Sequence, residues 1–81
     1  MPSRNWRLRL QDISESIDEI LELTAGIEFD DFTTNRIIVK AVLYDLGIIG
    51  EAARNIPSNV QSRYPQIPWR LLGDMRNVIF H

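Results

Sequence analysis

Residues 37–53, with the sequence IIVKAVLYDLGIIGEAA, decide the fold of this chain. A helix drawn through this stretch is apolar on more than one face, with Ile37, Ile38, Ala41, Val42, Leu46, Ile48, Ile49, Ala52 and Ala53. A helix that is apolar on two sides packs on two sides. Gly47 and Gly50 each cost about 1 kcal/mol inside a helix, so they indicate close approach of another backbone. The stretch therefore predicts a central helix from after Phe32 to about Asn55, packed on a first helix and on a second element, for example another subunit.

The segment before it has the pattern of one amphipathic helix. Its apolar stripe has the spacing i, i+4, i+7, i+11, i+14, i+15, i+18, with Trp6, Leu10, Ile13, Ile17, Ile20, Leu21 and Thr24. Gly26 is a suitable stop signal, which predicts a first helix over about residues 4–25 with its acidic face toward water. The segment 28–32 is predicted to be a connector whose acids suit a helix N-terminus.

Proline residues divide the remaining sequence. Ser58 follows a proline that ends the central helix, and it can cap a short third helix near residues 59–64. Pro68 fits the first position of a last helix that starts near Trp69. No stretch alternates as a strand does. The predicted fold is therefore all-α, an up-and-down helical bundle of about four helices.

Length and composition predict one small domain spanning residues 1–81. A core of this size is modest, so a second copy or a partner is a reasonable source of further burial, and we expect a dimer. The chain has no Cys, which suits a reducing cytoplasm. No apolar run approaches the roughly 20 residues of a membrane span, and the first residues lack an apolar signal core. We therefore expect a cytoplasmic protein that does not enter a membrane.

Charge is unevenly distributed along the chain. The net charge of −2 gives no nucleic-acid signature by itself. Eight of the nine basic residues are Arg, and six of these eight lie near the two ends of the chain. The acids concentrate in the first helix, at Asp12, Glu15, Asp18, Glu19 and Glu22. Either this is ordinary solvated surface charge, or the chain has two surfaces of opposite sign for different partners.

The last six residues, 76–81, contain the side chains best suited to phosphate chemistry. Arg76 can bind a phosphate through its planar, bidentate fork. His81 is the chain's single histidine and can exchange a proton near neutral pH. On a helix through residues 69–81, one predicted face is core, with Leu71, Leu72, Met75, Val78 and Ile79. The opposite face is a polar stripe with Arg70, Gly73, Asp74, Asn77 and His81.

The spacing of the two candidate residues raises a geometric problem. Arg76 and His81 are five residues apart, which separates them by about 140° on an ideal helix. Either the helix ends or distorts before His81, or a two-fold dimer completes the site and brings two histidines into one cleft. The non-catalytic interpretation is a surface histidine beside an Arg–Asn pair that hydrogen-bonds a helix end.

Three ordered blocks resemble the HepT-like proteins of the HEPN superfamily (higher eukaryotes and prokaryotes nucleotide-binding). They are residues 46–53 (LGIIGEAA), 67–69 (IPW) and 73–81 (GDMRNVIFH). The similarity extends over nearly the whole chain. It implies a helical up-and-down bundle that dimerises and carries an Arg-x4–6-His ribonuclease site that needs no metal or other cofactor.

The resemblance also implies a role for each site residue. Arg76 would bind the scissile phosphate and stabilise transition-state charge. His81 would act as general base or acid for attack by the ribose 2′-OH, and Asn77 would orient the pair. We consider Glu51, Arg70 and Asp74 as possible supporting residues.

Partners follow from the same resemblance. RNA would be the substrate, and an MntA-like minimal nucleotidyltransferase encoded beside this toxin would be the antitoxin. That enzyme adenylylates a tyrosine two residues after the motif histidine, which is position 83 and beyond this chain. Family chains continue with a further helical segment, so we expect this sequence to be truncated just after the Arg-x4-His motif. The alternatives are a non-catalytic subunit that presents a surface, such as the acidic face of the first helix, to the nucleotidyltransferase, and an inactive remnant.

Some residues have structural interpretations. Glu51 is expected to pair with an arginine such as Arg54 or Arg76, or to orient Arg76. Asp45, among apolar residues, is expected to be a capped or interfacial acid rather than a catalytic one. Trp69 is expected to anchor a core or an interface.

Overall fold

A computed structural model describes residues 5–80 of the chain. Its helices, in order, are α1 (Trp6–Thr24), α2 (Phe29–Thr34), α3 (Arg36–Arg54), α4 (Ser58–Gln61) and α5 (Trp69–Ile79). None of the residues 5–80 belongs to a strand. The long helix α3 lies between α1 and α5 and contacts both. The prediction of an all-α bundle is therefore confirmed.

Within the described part of the chain, no helix combines the length and the apolar character needed to cross a membrane.

The central helix packs on two sides, as its sequence predicts, and its second partner is α5 of the same chain. A Cβ atom added at Gly50 would lie 2.6 Å from the backbone oxygen of Leu72 and 2.9 Å from the backbone nitrogen of Arg76. The backbone approach predicted at this position is therefore confirmed. Gly47 instead lies against the aromatic ring of Phe80, so a side chain, rather than a backbone, needs the space there.

The buried apolar residues of the core lie on α3, in the turn that follows it and on α4. They are Val42, Ile49, Ala52, Ala53, Ile56 and Val60. The Trp69 indole N–H donates to the backbone oxygens of Gln61 (3.2 Å) and Tyr64 (3.1 Å). The Gln61 side chain in turn donates to the backbone oxygen of Ile56 at 3.0 Å. Through these contacts, Trp69 acts as the anchor that the sequence predicts. It attaches the start of α5 to α4 and, through Gln61, to the turn after α3.

Some element predictions need correction. The segment 28–32, predicted to be a connector, is largely helical because α2 begins at Phe29. The side chain of Asn35 accepts a hydrogen bond from the Ile38 backbone N–H at 3.1 Å and thereby starts α3 as a separate helix. Ser58 is the first residue of α4 rather than its cap, because the carbonyl of Pro57 accepts the first backbone hydrogen bonds.

The predicted faces of the last helix are also partly wrong. Leu71 and Val78, placed in the core by periodicity, are 66% and 80% exposed. Gly73, placed on the polar stripe, is buried, and a Cβ atom there would lie 2.8 Å from Cγ of Arg54. The physical reason is the close contact at Gly50, which turns α5 so that its small residue, rather than its bulkiest residues, faces α3.

Candidate active site

Arg76 lies in the last turn of α5, on the side that faces α3. Gly50 makes this position possible, because a Cβ atom there would lie only 2.7 Å from Cβ of Arg76. The residue after Gly50 is Glu51, and its Oε1 accepts a hydrogen bond from Nε of Arg76 at 2.7 Å. Of the two arginines considered as partners for Glu51, the structure selects Arg76.

Asn77 joins two guanidinium groups through one amide oxygen. Its Oδ1 accepts a hydrogen bond from Nη1 of Arg76 at 3.2 Å and another from Nη1 of Arg54 at 2.9 Å. An acceptor shared in this way holds two like charges near each other. The structure thus brings Glu51, Arg76 and Asn77 together with Arg54.

This network orients Arg76 while leaving it accessible. The side chains of Arg76 and Glu51 are 39% and 45% exposed, so their ion pair contributes at most about 1 kcal/mol to stability. Among residues 5–80, none accepts a hydrogen bond from Nη2 of Arg76. The two residues line a cavity of about 290 Å³ with Arg54 and Asn55. Glu51 therefore acts mainly on the direction of the guanidinium.

Arg54 is the functional candidate that sequence reasoning missed, because it was considered only as a partner for Glu51. It lies three residues after Glu51, so the two share one face of α3, and this spacing is the signal that could have identified it. Arg54 also lines a neighbouring cavity of about 340 Å³ with Arg70, Asp74 and Asn77. The cavity places Arg70 and Asp74 beside the network.

His81 lies outside the described residues, so its distance to Arg76 is not a feature of this structure. Helix α5 ends at Ile79, with Phe80 as its C-cap. Of the two solutions to the spacing problem, the helix therefore does end before His81. The ring of Phe80 packs over Gly47 and lies 6.1 Å from the ring of Tyr44, which fixes the end of α5 on α3. The dimeric completion of the site stays a prediction.

Comparisons with known proteins identify the family of this chain. The profile of the family described as "Ribonuclease HepT-like" matches residues 13–81. "Probable ribonuclease HepT" of Thermococcus cleftensis is 43% identical over 78 residues, which cover 96% of this chain and 71% of that protein. "Putative RNase MJ1216" of Methanocaldococcus jannaschii is 38% identical over 81 residues, which cover 100% of this chain and 67% of that protein. No solved structure matches the chain significantly. The match spans both helices of the Arg76 network, and the chain belongs to the ribonuclease HepT-like family.

Proposed function

We propose that this chain is the RNA-cleaving subunit of a metal-independent endoribonuclease. The network around Arg76 carries the proposal. Glu51 holds Nε and Asn77 holds Nη1, so an oriented guanidinium is half exposed at the end of α5. A planar guanidinium binds a phosphate with two parallel hydrogen bonds. Membership of the ribonuclease HepT-like family supports RNA as the source of that phosphate.

The proposed reaction is an internal transfer of the phosphate. The ribose 2′-oxygen attacks the neighbouring phosphorus as its proton passes to a base. The bond from phosphorus to the 5′-oxygen breaks, and the 5′-oxygen takes up a proton. The products are a 2′,3′-cyclic phosphate and a 5′-hydroxyl group. Arg76 stabilises the charge that develops on the phosphate oxygens.

His81 moves the proton in this proposal. It is the one histidine of the chain, and imidazole is the side chain that can both accept and donate a proton near neutral pH. In a homodimer, one His81 would act as the base and the other as the acid. Asn77 keeps the guanidinium of Arg76 in position for this step.

Further arginines suit a longer stretch of RNA. Arg54 and Arg70 line the cavity next to Arg76, where each could neutralise a phosphate that flanks the scissile one. Phosphate contacts of this kind position a nucleic acid without reading its sequence. They also make binding weaker as salt rises.

The test is cleavage of a labelled RNA in excess chelator by this 81-residue chain. We expect cleavage that resists the chelator and leaves cyclic phosphate ends. Arg76→Ala and His81→Ala should each lower the rate by roughly 10²–10³-fold. Arg63→Ala is the matched control, because it removes an exposed arginine that lines neither cavity at the site. A folded protein without activity, or undiminished cleavage by His81→Ala, would contradict the proposal.

The biological setting is part of the proposal. We propose that the chain acts as a homodimeric toxin in the cytoplasm, paired with a nucleotidyltransferase antitoxin. The second candidate function is a non-catalytic subunit that binds such an enzyme, and the acidic cavity between α1 and α3 favours it. Tight binding of the nucleotidyltransferase without RNA cleavage, unchanged in Arg76→Ala and His81→Ala, would support this second function over the first.

A further inference from the structure

Another cavity, also of about 290 Å³, lies between α1 and α3, and the charged residues that line it are acidic. Asp12, Glu15 and Glu19 reach it from α1, and Asp45 reaches it from α3. Asp45 is only 5% exposed, although it carries a carboxylate in the middle of a helix. The cavity has no part in the network around Arg76.

Asp45 has an unusual feature within this cavity. Its Oδ2 atom is buried and accepts no hydrogen bond from any residue between Asn5 and Phe80. A buried charged group without a partner is costly, and three like charges beside it add repulsion. Contact with Asp45, first by hydrogen bonding and then by like charge, raises the pKa of Glu19 above its usual value of 4.5. None of the described residues that line the cavity supplies a positively charged donor.

The lining indicates what kind of cation fits. The described residues contain no group of three acidic, His or Cys side chains arranged to hold a metal ion, so these carboxylates surround a space without converging on one point. A guanidinium spreads its charge over five N–H donors in a plane, which suits acceptors placed around it. Tyr44 and Ile48 add an apolar wall against which a methylene stem can pack.

We propose that this cavity binds a guanidinium group, with Oδ2 of Asp45 as its buried acceptor. Glu19 and the other carboxylates of α1 flank the group at the mouth of the cavity. The group belongs either to an arginine side chain of another polypeptide or to a free guanidinium compound. This site does not depend on the ribonuclease function proposed for Arg76.

The test is a titration of the ¹⁵N-labelled protein followed by NMR at constant ionic strength. The three probes are N-acetyl-arginine methylamide, agmatine and spermidine. We expect saturable shifts around Asp45 with a guanidinium probe. Asp45→Asn should weaken this binding roughly tenfold or more, because it removes a charged hydrogen bond. Asp18→Asn should leave it unchanged, because it removes the same charge from a residue of α1 outside the cavity.

The probes also identify the source of the group. Binding of the blocked arginine at least as tight as that of agmatine assigns the site to a protein side chain, and binding of agmatine alone assigns it to a free compound. If Asp45→Asn does not fold, Glu19→Gln, an exposed position, should weaken binding severalfold. Shifts that do not saturate, equal affinity in these cavity variants and the wild type, or spermidine binding as tight as either guanidinium would overturn the proposal.

Discussion

The charged side chains on the two sides of helix α3 differ in whether they have partners. On the side facing α5, Glu51 pairs with Arg76, and Arg54 donates to Asn77. On the side facing α1, the charged residues that line the cavity with Asp45 are all carboxylates, and one oxygen of Asp45 has no partner among residues 5–80. One helix can therefore orient a functional group, Arg76, through contacts within the chain. The same helix can also present a carboxylate, Asp45, that is suited to a partner from outside the chain.

The two sides also differ in where space is left between the helices. At Gly50, α5 comes so near that its backbone atoms occupy the space of a Cβ. On the α1 side, a cavity of about 290 Å³ lies directly at Asp45, whereas the two cavities on the α5 side are lined by the Arg76 network and not by Gly50. Close backbone contact gives Arg76 a fixed direction, whereas the cavity gives Asp45 room for a ligand. Changes on the two sides should therefore have opposite effects on stability.

The largest expected effect on stability is from Gly50→Ala, which disrupts the packing of α5 on α3. The new methyl group would meet backbone atoms of Leu72 and Arg76, which cannot move independently of α5. Because these are backbone atoms, we expect overpacking to cost about 2–3 kcal/mol, the upper part of its usual range, which outweighs a gain of about 1 kcal/mol in helix propensity. We expect urea unfolding to show a net loss of about 1–2 kcal/mol, and RNA cleavage to fall because Arg76 moves.

Gly47→Ala is the matched control for this change, three residues earlier on the same helix. Its methyl group would meet the ring of Phe80, a partly exposed side chain that can turn toward solvent. We therefore expect a smaller loss of stability than for Gly50→Ala. Equal stability of Gly50→Ala and the wild type would contradict the close packing of α3 on α5.

The sequence predicts the close packing of α3 on α5, but neither the face that α5 turns inward nor the surroundings of Asp45. The two-sided pattern of α3 and the paired glycines predict close packing, and the structure has it at Gly50. The resemblance of residues 46–53, 67–69 and 73–81 together predicts the family, which the family profile confirms. These features are local sequence patterns or blocks with a spacing typical of the family, so they can be identified from a single sequence.

Other features depend on contacts between distant residues and could not be predicted. Periodicity defines the faces of α5, but the contact at Gly50 decides which face turns inward, so Gly73 is buried and Val78 is exposed. The lack of a partner for Asp45 likewise depends on which residues of α1 lie opposite it. The sequence predicted a capped or interfacial acid there, and no pattern within α3 could show that its neighbours are acidic.

The next effect in size is a gain on the α1 side. Asp45→Asn removes a buried charge that has no partner among the described residues, while its amide can donate to the carboxylates of α1. We expect the free energy of unfolding to rise by about 1 kcal/mol at neutral pH, measured by thermal or urea unfolding. Asp18→Asn, an exposed change on α1, should stay within about 0.5 kcal/mol of the wild type. A less stable Asp45→Asn would mean that this carboxylate stabilises the free chain.

Glu51→Gln should change the free energy of unfolding still less. It therefore tests the orientation of Arg76 separately from the stability of the fold. The pair is half exposed, so its loss should cost less than about 1 kcal/mol in urea unfolding. The amide no longer fixes Nε of Arg76 by charge, and we expect RNA cleavage to fall about tenfold, which corresponds to about 1.4 kcal/mol in the barrier. Unchanged cleavage would show that Asn77 alone directs Arg76.

The smallest expected effect is a pH dependence that belongs to the α1 side. The groups around Glu19 are Asp45 from α3 and Asp12, Glu15 and Glu22 from α1. Asp45 raises the pKa of Glu19 in the folded protein, so the folded chain holds this proton more tightly than the unfolded chain. The resulting stabilisation is complete below the unfolded pKa, near 4.5, and is lost as pH rises through the raised folded pKa.

We therefore expect the free energy of unfolding of the wild type, measured from about pH 4 to pH 7, to include a decline that comes from Glu19. The Glu19→Gln protein should lack this part of the decline. Glu22→Gln, which removes a charge beside the cavity rather than in its lining, should keep most of that decline. Protons and a guanidinium group compete for the same carboxylates, so a bound guanidinium should make the decline shallower. If the free energy of unfolding of Glu19→Gln follows that of the wild type at every pH, repulsion among carboxylates does not distinguish the α1 side from the α5 side. The unpartnered oxygen of Asp45 would then account for the contrast alone.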